Sequence, residues 1–158
     1  MWSETRGTPR FYDPEVADPR ATGRCLCGAV AYEVRGPLRD VIVCHCVECR
    51  RWSGSVGTFS ATRTEHLAVT ESGALRWFDS PESDRGARRG LCAECGSSLF
   101  WQAAGAERVG IAAGTLDQPT GLRVAAHIYT HQLPDWAELP DDGRPRDPDR
   151  SSLEIRWS

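Results

Sequence analysis

Seven cysteines arranged in three tight groups constrain this chain more than any other feature. The groups comprise Cys25 and Cys27, then Cys44, Cys46 and Cys49, and finally Cys92 and Cys95. Tetrahedral zinc takes four thiolate or imidazole ligands, and closely spaced cysteines bring several ligands to one centre while ordering little extra backbone. Seven thiolates divide into four and three. The spacing therefore predicts one closed site and a second site that lacks one cysteine.

The composition fits a soluble cytoplasmic protein that stays reduced. With 158 residues the chain can bury a core as one domain, and its net charge of -3 does not provide the basic field that nucleic-acid binding needs. Residues 1–22 contain three prolines and no apolar run, so we expect an extended arm there, a single zinc-binding domain over residues 23–158, and no membrane span. A reducing cytosol disfavours disulfides, which again favours metal binding. All 19 basic residues are arginine, so no lysine is present to form a Schiff base.

The pattern of apolar segments predicts a mainly β fold of antiparallel sheets with little helix. Short runs rich in Val, Ile, Phe, Trp and Tyr recur between Gly, Pro, Asp and Ser residues, which is typical of strands and turns. The predicted strands are residues 29–34, 41–44, 56–61, 74–78, 98–102, 108–113, 124–130 and 153–157. Residues 46–52 are predicted to close a short helical turn.

The first and third cysteine groups together supply four thiolates. If Cys25 and Cys27 lie on an extended strand, both project from the same face. The wider spacing of Cys92 and Cys95 suits a tight knuckle in which Gly96 adopts a positive φ. A closed four-cysteine zinc site is structural. We therefore expect this site to hold the fold without taking part in catalysis; a disulfide within either pair is the alternative.

The central group, Cys44, Cys46 and Cys49, leaves the fourth position of a metal site open. That position could be taken by an acid, a water, a substrate atom or one of the four histidines, His45, His66, His127 and His131. The alternatives are thus an open zinc site, a second structural zinc completed by histidine, or a metal-free trio that oxidises readily. Three thiolates leave zinc at a net charge of about -1, which suits a thiol substrate. The open site predicts chemistry at sulfur.

These motifs resemble the glutathione-dependent formaldehyde-activating enzyme family, which includes proteins related to centromere protein V. The resemblance runs through residues 23–32, 44–54 and 91–99, with weaker support from residues 73–77, 114–117 and 127–129. It implies a β-tent zinc fold, with a structural zinc on the four-cysteine set and a catalytic zinc on Cys44, Cys46 and Cys49. The implied partners are a small-molecule thiol and an aldehyde. The implied reaction adds glutathione to formaldehyde to give S-(hydroxymethyl)glutathione, which is a carbon-sulfur lyase reaction in reverse.

Three further residues are candidates for work at this site. His127 could protonate the new alkoxide or contact the substrate, or could simply be a satisfied histidine within a strand. Arg50 and Arg51 could bind the glutathione carboxylates, or form a solvated charged pair. Many family members carry a lysine shortly before the residue matching Trp136, and this chain does not. A non-catalytic zinc-binding interaction module and a redox-responsive thiol protein are the alternative functions.

Overall fold

The described part of the chain is a two-sheet β structure with one short α-helix. A computed structural model describes residues 19–81, 83, 85–149 and 155–158. The strands are β1 (Ala21–Arg24), β2 (Ala31–Val34), β3 (Arg39–Cys44), β4 (Gly57–Arg63), β5 (Leu67–Glu71), β6 (Leu75–Asp79), β7 (Arg88–Cys92), β8 (Ser98–Gln102), β9 (Arg108–Ala112) and β10 (Val124–Ile128). The helices are α1 (Val47–Ser53) and three short 3₁₀ helices, Thr64–His66, Ala113–Thr115 and Thr130–Gln132. Within these residues, no helix combines the length and apolar character needed to cross a lipid bilayer.

The smaller sheet has the order β1-β2-β5, and the larger sheet has the order β10-β3-β4-β9-β8-β7-β6. The mainly β prediction is confirmed. The expectation of purely antiparallel sheets is wrong at one pair, because β10 runs parallel to β3. Parallel neighbours need a crossover connection, and the eight elements from α1 to β9 provide a long one here. This pairing brings the end of β10 beside the end of β3, where Cys44 lies opposite Ile128.

Seven of the eight predicted strands overlap observed ones, and the helical turn predicted over residues 46–52 is observed as α1. The eighth prediction reaches residues 153 and 154, which lie outside the described residues; Trp157 forms only an isolated bridge with Arg39. Strands β1, β5 and β7 escaped the prediction because charged and small residues interrupt their apolar pattern. Residues 1–18 of the expected arm also lie outside the described residues, and the strand β1 begins at Ala21.

The hydrophobic core joins the two sheets. Tyr32 of β2 and Phe100 of β8 meet edge to face, with ring centroids 5.2 Å apart. The other buried members of this cluster are Cys25, Val30, Val34, Leu38, Ala74, Cys92, Leu99, Val109, Ile111 and Leu116. Because Cys25 and Cys92 belong to the cluster, the four-cysteine group is continuous with the core.

A buried ionic cluster holds the beginning of β3. The Asp40 side chain is only 2% exposed and accepts two hydrogen bonds from Arg156, at 2.9 and 3.0 Å. Arg123 donates to the same carboxylate at 3.2 Å. Backbone hydrogen bonds between Leu38 and Ser158 run in both directions beside it. The segment 156–158 is thereby fastened to the strand that ends at Cys44.

Candidate metal centres

The first cysteine pair lies in the turn between β1 and β2. The expectation that both residues occupy an extended strand is wrong, because β1 ends at Arg24. The Gly28 amide donates to the Cys25 carbonyl at 3.2 Å, and Gly28 has a φ of 82°. A turn closed at glycine, and not strand alternation, therefore brings the Cys25 and Cys27 sulfurs to 3.5 Å.

The second pair occupies the turn between β7 and β8. Cys92 ends β7, and the Gly96 amide donates to the Cys92 carbonyl at 2.8 Å. Gly96 has a φ of 74°, so the expected positive φ is confirmed. The sulfurs of Cys27 and Cys92 lie 3.8 Å apart, and all four sulfurs lie within 4.8 Å of one another. Ligands of tetrahedral zinc at a Zn–S distance of about 2.3 Å lie ~3.8 Å apart, so this donor set could hold zinc.

Neutral hydrogen-bond donors surround this four-cysteine site. The Val30 amide donates to the Cys25 sulfur at 3.3 Å. The Ser97 hydroxyl lies 3.2 Å from the Cys95 sulfur, and its oxygen accepts from the Leu26 amide at 3.0 Å. The hydrogen bond from Ser97 lowers the pKa of Cys95 to about 5. These donors favour thiolates, which are the form that binds metal.

The three-cysteine site forms where β3 passes into α1. Cys44 ends β3, and Cys46 is the N-cap residue of α1, where its sulfur accepts a hydrogen bond from the Cys49 amide at 3.4 Å. Gly54 ends the helix in the left-handed conformation. The three sulfurs lie within 4.8 Å of one another. Gly57 lies opposite Cys44 on β4, and its missing side chain leaves the space that Cys49 occupies.

Within the described residues, this site offers three candidate protein ligands. No histidine, aspartate or glutamate there brings a ligand atom within 4.8 Å of all three sulfurs. Crowding of the thiols splits their pKa values: hydrogen bonds with Cys46 and Cys49 raise the pKa of Cys44, whereas the hydrogen bond from Cys44 lowers the pKa of Cys46. A divalent cation would compensate three thiolates at once. The trio could therefore hold zinc with one position left open.

His127, a candidate site residue from the sequence, lies between His45 and Asp142 and is within hydrogen-bonding distance of both. His45 Nε2 and His127 Nδ1 are 3.0 Å apart, and His127 Nε2 lies 3.1 Å from the Asp142 carboxylate. Both rings are buried, with 5% and 3% exposure. Burial lowers the pKa of His45, and the adjacent His127 ring lowers it further. The buried Nδ1 of His45 has no hydrogen-bond partner among the described residues.

A cavity of about 310 Å³ opens beside His45. Its lining residues are His45, Arg50, Ser55, Val56, Leu133, Pro134, Trp136, Ala137 and Glu138. Of the two predicted arginines, Arg50 lines the cavity and donates to the Gln132 carbonyl at 2.7 Å. Arg51 is exposed on α1 and does not line it. The structure thus places Arg50 and Arg51 differently, although they are adjacent in sequence.

Two residues around the site carried no sequence signal. Asp142, the hydrogen-bond partner of His127, lies in the Pro, Asp and Arg-rich segment 139–149, where the structure describes no strand or helix. Arg89 is one of 19 arginines, and its Nη1 reaches to 4.0 Å from the Cys49 sulfur. Only tertiary contacts distinguish these side chains from their neighbours.

Comparison with known proteins places the chain in a family. The family described as "Glutathione-dependent formaldehyde-activating enzyme" matches residues 20–132, which is more than two thirds of the chain. Among solved structures, the chain is similar to a Rhodobacter sphaeroides protein, with 25% sequence identity and a TM-score of 0.52 over 63% of this chain and 91% of that one. No curated protein is significantly similar. The matched region contains all seven cysteines, and the chain belongs to the glutathione-dependent formaldehyde-activating enzyme family.

Proposed function

We propose that the protein is a carbon-sulfur lyase that adds the glutathione thiol to formaldehyde, with its chemistry at the three-cysteine site. The main observation that supports this proposal is the cluster of three thiols, Cys44, Cys46 and Cys49, with no fourth protein ligand among the described residues. A zinc ion bound there would supply one further coordination position, at which a thiol loses its proton near neutral pH. The four-cysteine group would hold a second, structural zinc.

The cavity beside α1 suits the substrate of this reaction. Its volume lies at the lower end of the range of about 300–1,000 Å³ that is usual for small-molecule sites. Arg50 presents a guanidinium that can pair with a carboxylate, and Glu138 presents a carboxylate that can pair with an ammonium group. Glutathione carries both kinds of charge. Trp136 adds an aromatic wall.

The two histidines would orient the reacting groups. If Asp142 accepts the Nε2 hydrogen of His127, the Nδ1 of His127 accepts the Nε2 hydrogen of His45. His45 Nδ1 then remains a buried hydrogen-bond acceptor on a residue that lines the cavity. His127 therefore acts through His45 in this proposal and positions it. In the reaction the carbon-sulfur bond forms, the carbonyl π bond opens, and the proton lost by sulfur ends on the new hydroxyl oxygen, so no oxidant or reductant is needed.

We assign the reaction to the cytoplasm. All seven cysteines are free thiols in the structure, and a reducing compartment keeps them so. Glutathione and formaldehyde are the proposed small-molecule partners.

The test is the exchange rate between glutathione and S-(hydroxymethyl)glutathione, measured by NMR with ¹³C-formaldehyde. Zinc-loaded protein should raise this rate above the uncatalysed one in proportion to protein concentration. Cys46→Ser should abolish the increase while the protein stays folded. An uncatalysed rate in the presence of protein with two zinc ions per chain would refute the proposal and favour the interaction module.

Two neighbouring arginines provide a matched pair for substrate binding. Arg50→Ala should raise the KM for glutathione by about tenfold, which is the value of one charged hydrogen bond. Arg51→Ala should leave KM within about twofold, because Arg51 does not line the cavity. Equal effects of the two substitutions would contradict the placement of glutathione in this cavity.

A further inference from the structure

Arg89 is a buried cation beside the three-cysteine site. It lies on β7, and its side chain is 3% exposed. Each part of its guanidinium has a partner: Nε donates to the Ser80 hydroxyl at 2.8 Å, Nη2 donates to the Glu48 carboxylate at 3.0 Å, and Nη1 points to the Cys49 sulfur at 4.0 Å. Its charged end also lies 5.6 Å from the centre of the Trp52 ring. The fork is fully oriented by these contacts.

This orientation places the positive charge of Arg89 beside the sulfur of Cys49. A buried arginine is stable only when its charge is compensated. Glu48 supplies one negative charge from α1, on the Nη2 side, while Nη1 approaches the sulfur of Cys49. A site of three thiolates and one divalent cation has a net charge of about -1. A fourth anionic ligand makes the net charge about -2. A fixed guanidinium makes that second negative charge less costly.

We propose that Arg89 is the positioning residue that makes the open position of the three-cysteine site prefer an anionic ligand, such as a thiolate, over a neutral one. The inference rests on the proposed function in one respect, that a thiol uses this position. Arg89 is buried and its Nη1 faces the Cys49 sulfur, so it acts through Cys49 and not by touching the substrate.

The experiment uses the whole protein with cobalt(II) in place of zinc. Ligand titrations followed by the cobalt d–d bands report the open site as a difference spectrum, because a closed four-thiolate site cannot take a further ligand. The probes are 2-mercaptoethanol and azide as anionic ligands and imidazole as a neutral one. The variant is Arg89→Met. The matched control is Arg88→Met. Arg88 lies on the same strand but is exposed, and its side chain donates to Gln102 and not to a residue of the cysteine site.

Arg89→Met should weaken azide and 2-mercaptoethanol binding by at least about tenfold, because it removes the positive charge that offsets the second negative charge of the site. It should change imidazole affinity by less than about twofold, and Arg88→Met should change none of the three. A merely structural role for Arg89 would weaken all ligands alike, and that result, or unchanged azide affinity, would overturn the proposal. Should Arg89→Met fail to fold, Arg89→Gln, which keeps an amide donor for Ser80 or Glu48, is measured by the same criteria.

The two anionic probes separate this inference from the proposed function. A wild-type protein that binds azide but no thiol would refute the proposed function, while the azide affinity of the variant still decides the role of Arg89. Thiol and azide binding that is equally tight in wild type and Arg89→Met would refute the role of Arg89 and leave the proposed function standing.

Discussion

The two cysteine sites offer the same type of candidate ligand, a thiolate, but they lie in different parts of the fold. The four-cysteine site joins the β1–β2 turn of the small sheet to the β7–β8 turn of the large one, and two of its cysteines belong to the core. The three-cysteine site lies on one short stretch, from the end of β3 into α1. A cation in the first site cross-links distant parts of the chain, whereas a cation in the second closes only a local loop. Stability should depend on the first far more than on the second.

Their surroundings differ as well. The hydrogen bonds described to the sulfurs of the four-cysteine site come from backbone amides and a serine, all of them neutral. The three-cysteine site has Arg89 on one side, and His45 and Arg50 line the cavity beside it. Charged and titratable groups around an incomplete ligand set are what chemistry requires. This difference supports the proposed division into a structural site and a reactive one.

The largest expected effect separates the sites by stability. Cys25→Ser should abolish folding or lower Tm by more than about 15 °C, because a structural zinc contributes directly to folding free energy. Cys49→Ser should change Tm by less than about 5 °C and leave one zinc per chain. Circular dichroism melts and metal analysis measure both quantities. Equal losses of Tm would contradict a structural role for the four-cysteine site alone.

Chelation should separate the sites by rate. A metal held by three protein ligands at an open position is reached by a competing chelator more easily than one enclosed by four. Chromogenic chelator should therefore remove one zinc in a fast phase, with the far-ultraviolet spectrum unchanged, and the second zinc slowly, together with unfolding. Cys46→Ser should lack the fast phase. Release of both ions in one phase would contradict the distinction.

A change outside both ligand sets should affect one site alone. A Cβ atom at Gly57 would lie 3.0 Å from Cys49 Cβ, 3.2 Å from its sulfur and 2.8 Å from Phe59. Gly57→Ala should therefore lower the metal affinity of the three-cysteine site by at least about tenfold. It should also lower the free energy of unfolding by about 1–3 kcal/mol. Gly114→Ala is the control, because nothing lies within 4 Å of its Cβ position. Unaltered affinity in Gly57→Ala would show that Cys49 has more room than the structure gives it.

The smallest expected effect separates acid unfolding from acid release of metal. Burial disfavours the Asp40 carboxylate, but hydrogen bonds from Arg156 and Arg123 outweigh burial and lower its pKa below the ordinary value of 3.8. A depressed folded-state pKa contributes stability that is present above pH 4 and lost as the pH falls through the folded-state value. Asp40→Asn should cost about 1–3 kcal/mol at pH 7.

Urea denaturation between pH 7 and pH 2 measures this contribution. Below pH 4 the unfolding free energy of Asp40→Asn should fall less steeply than that of the wild type, with the stoichiometry of both metals unchanged at pH 7. Parallel pH profiles of the two proteins would exclude Asp40 as a source of acid sensitivity.

Sequence reasoning worked where the signal was local. The helix after Cys46 and the positive φ of Gly96 depend on a few neighbouring residues, and both predictions are confirmed. It failed in two places for different reasons. Cys25 and Cys27 meet through a local turn closed at Gly28 and not along a strand, because the spacing of two residues fits both geometries. The strand β10 pairs with β3 in the parallel direction, which the local pattern of residues does not encode, because the partner lies far along the chain.

The number and grouping of the cysteines, and with them the division into four thiolates and three, can be read from the sequence. That division follows from ligand count, which no folding event can change. The surroundings of each group depend on how the chain folds. Arg89 is separated from Cys49 by 40 residues and Asp142 from His127 by 15, and strand pairing and loop packing bring each to its partner. The different environments of the two cysteine groups are therefore a property of those long-range contacts.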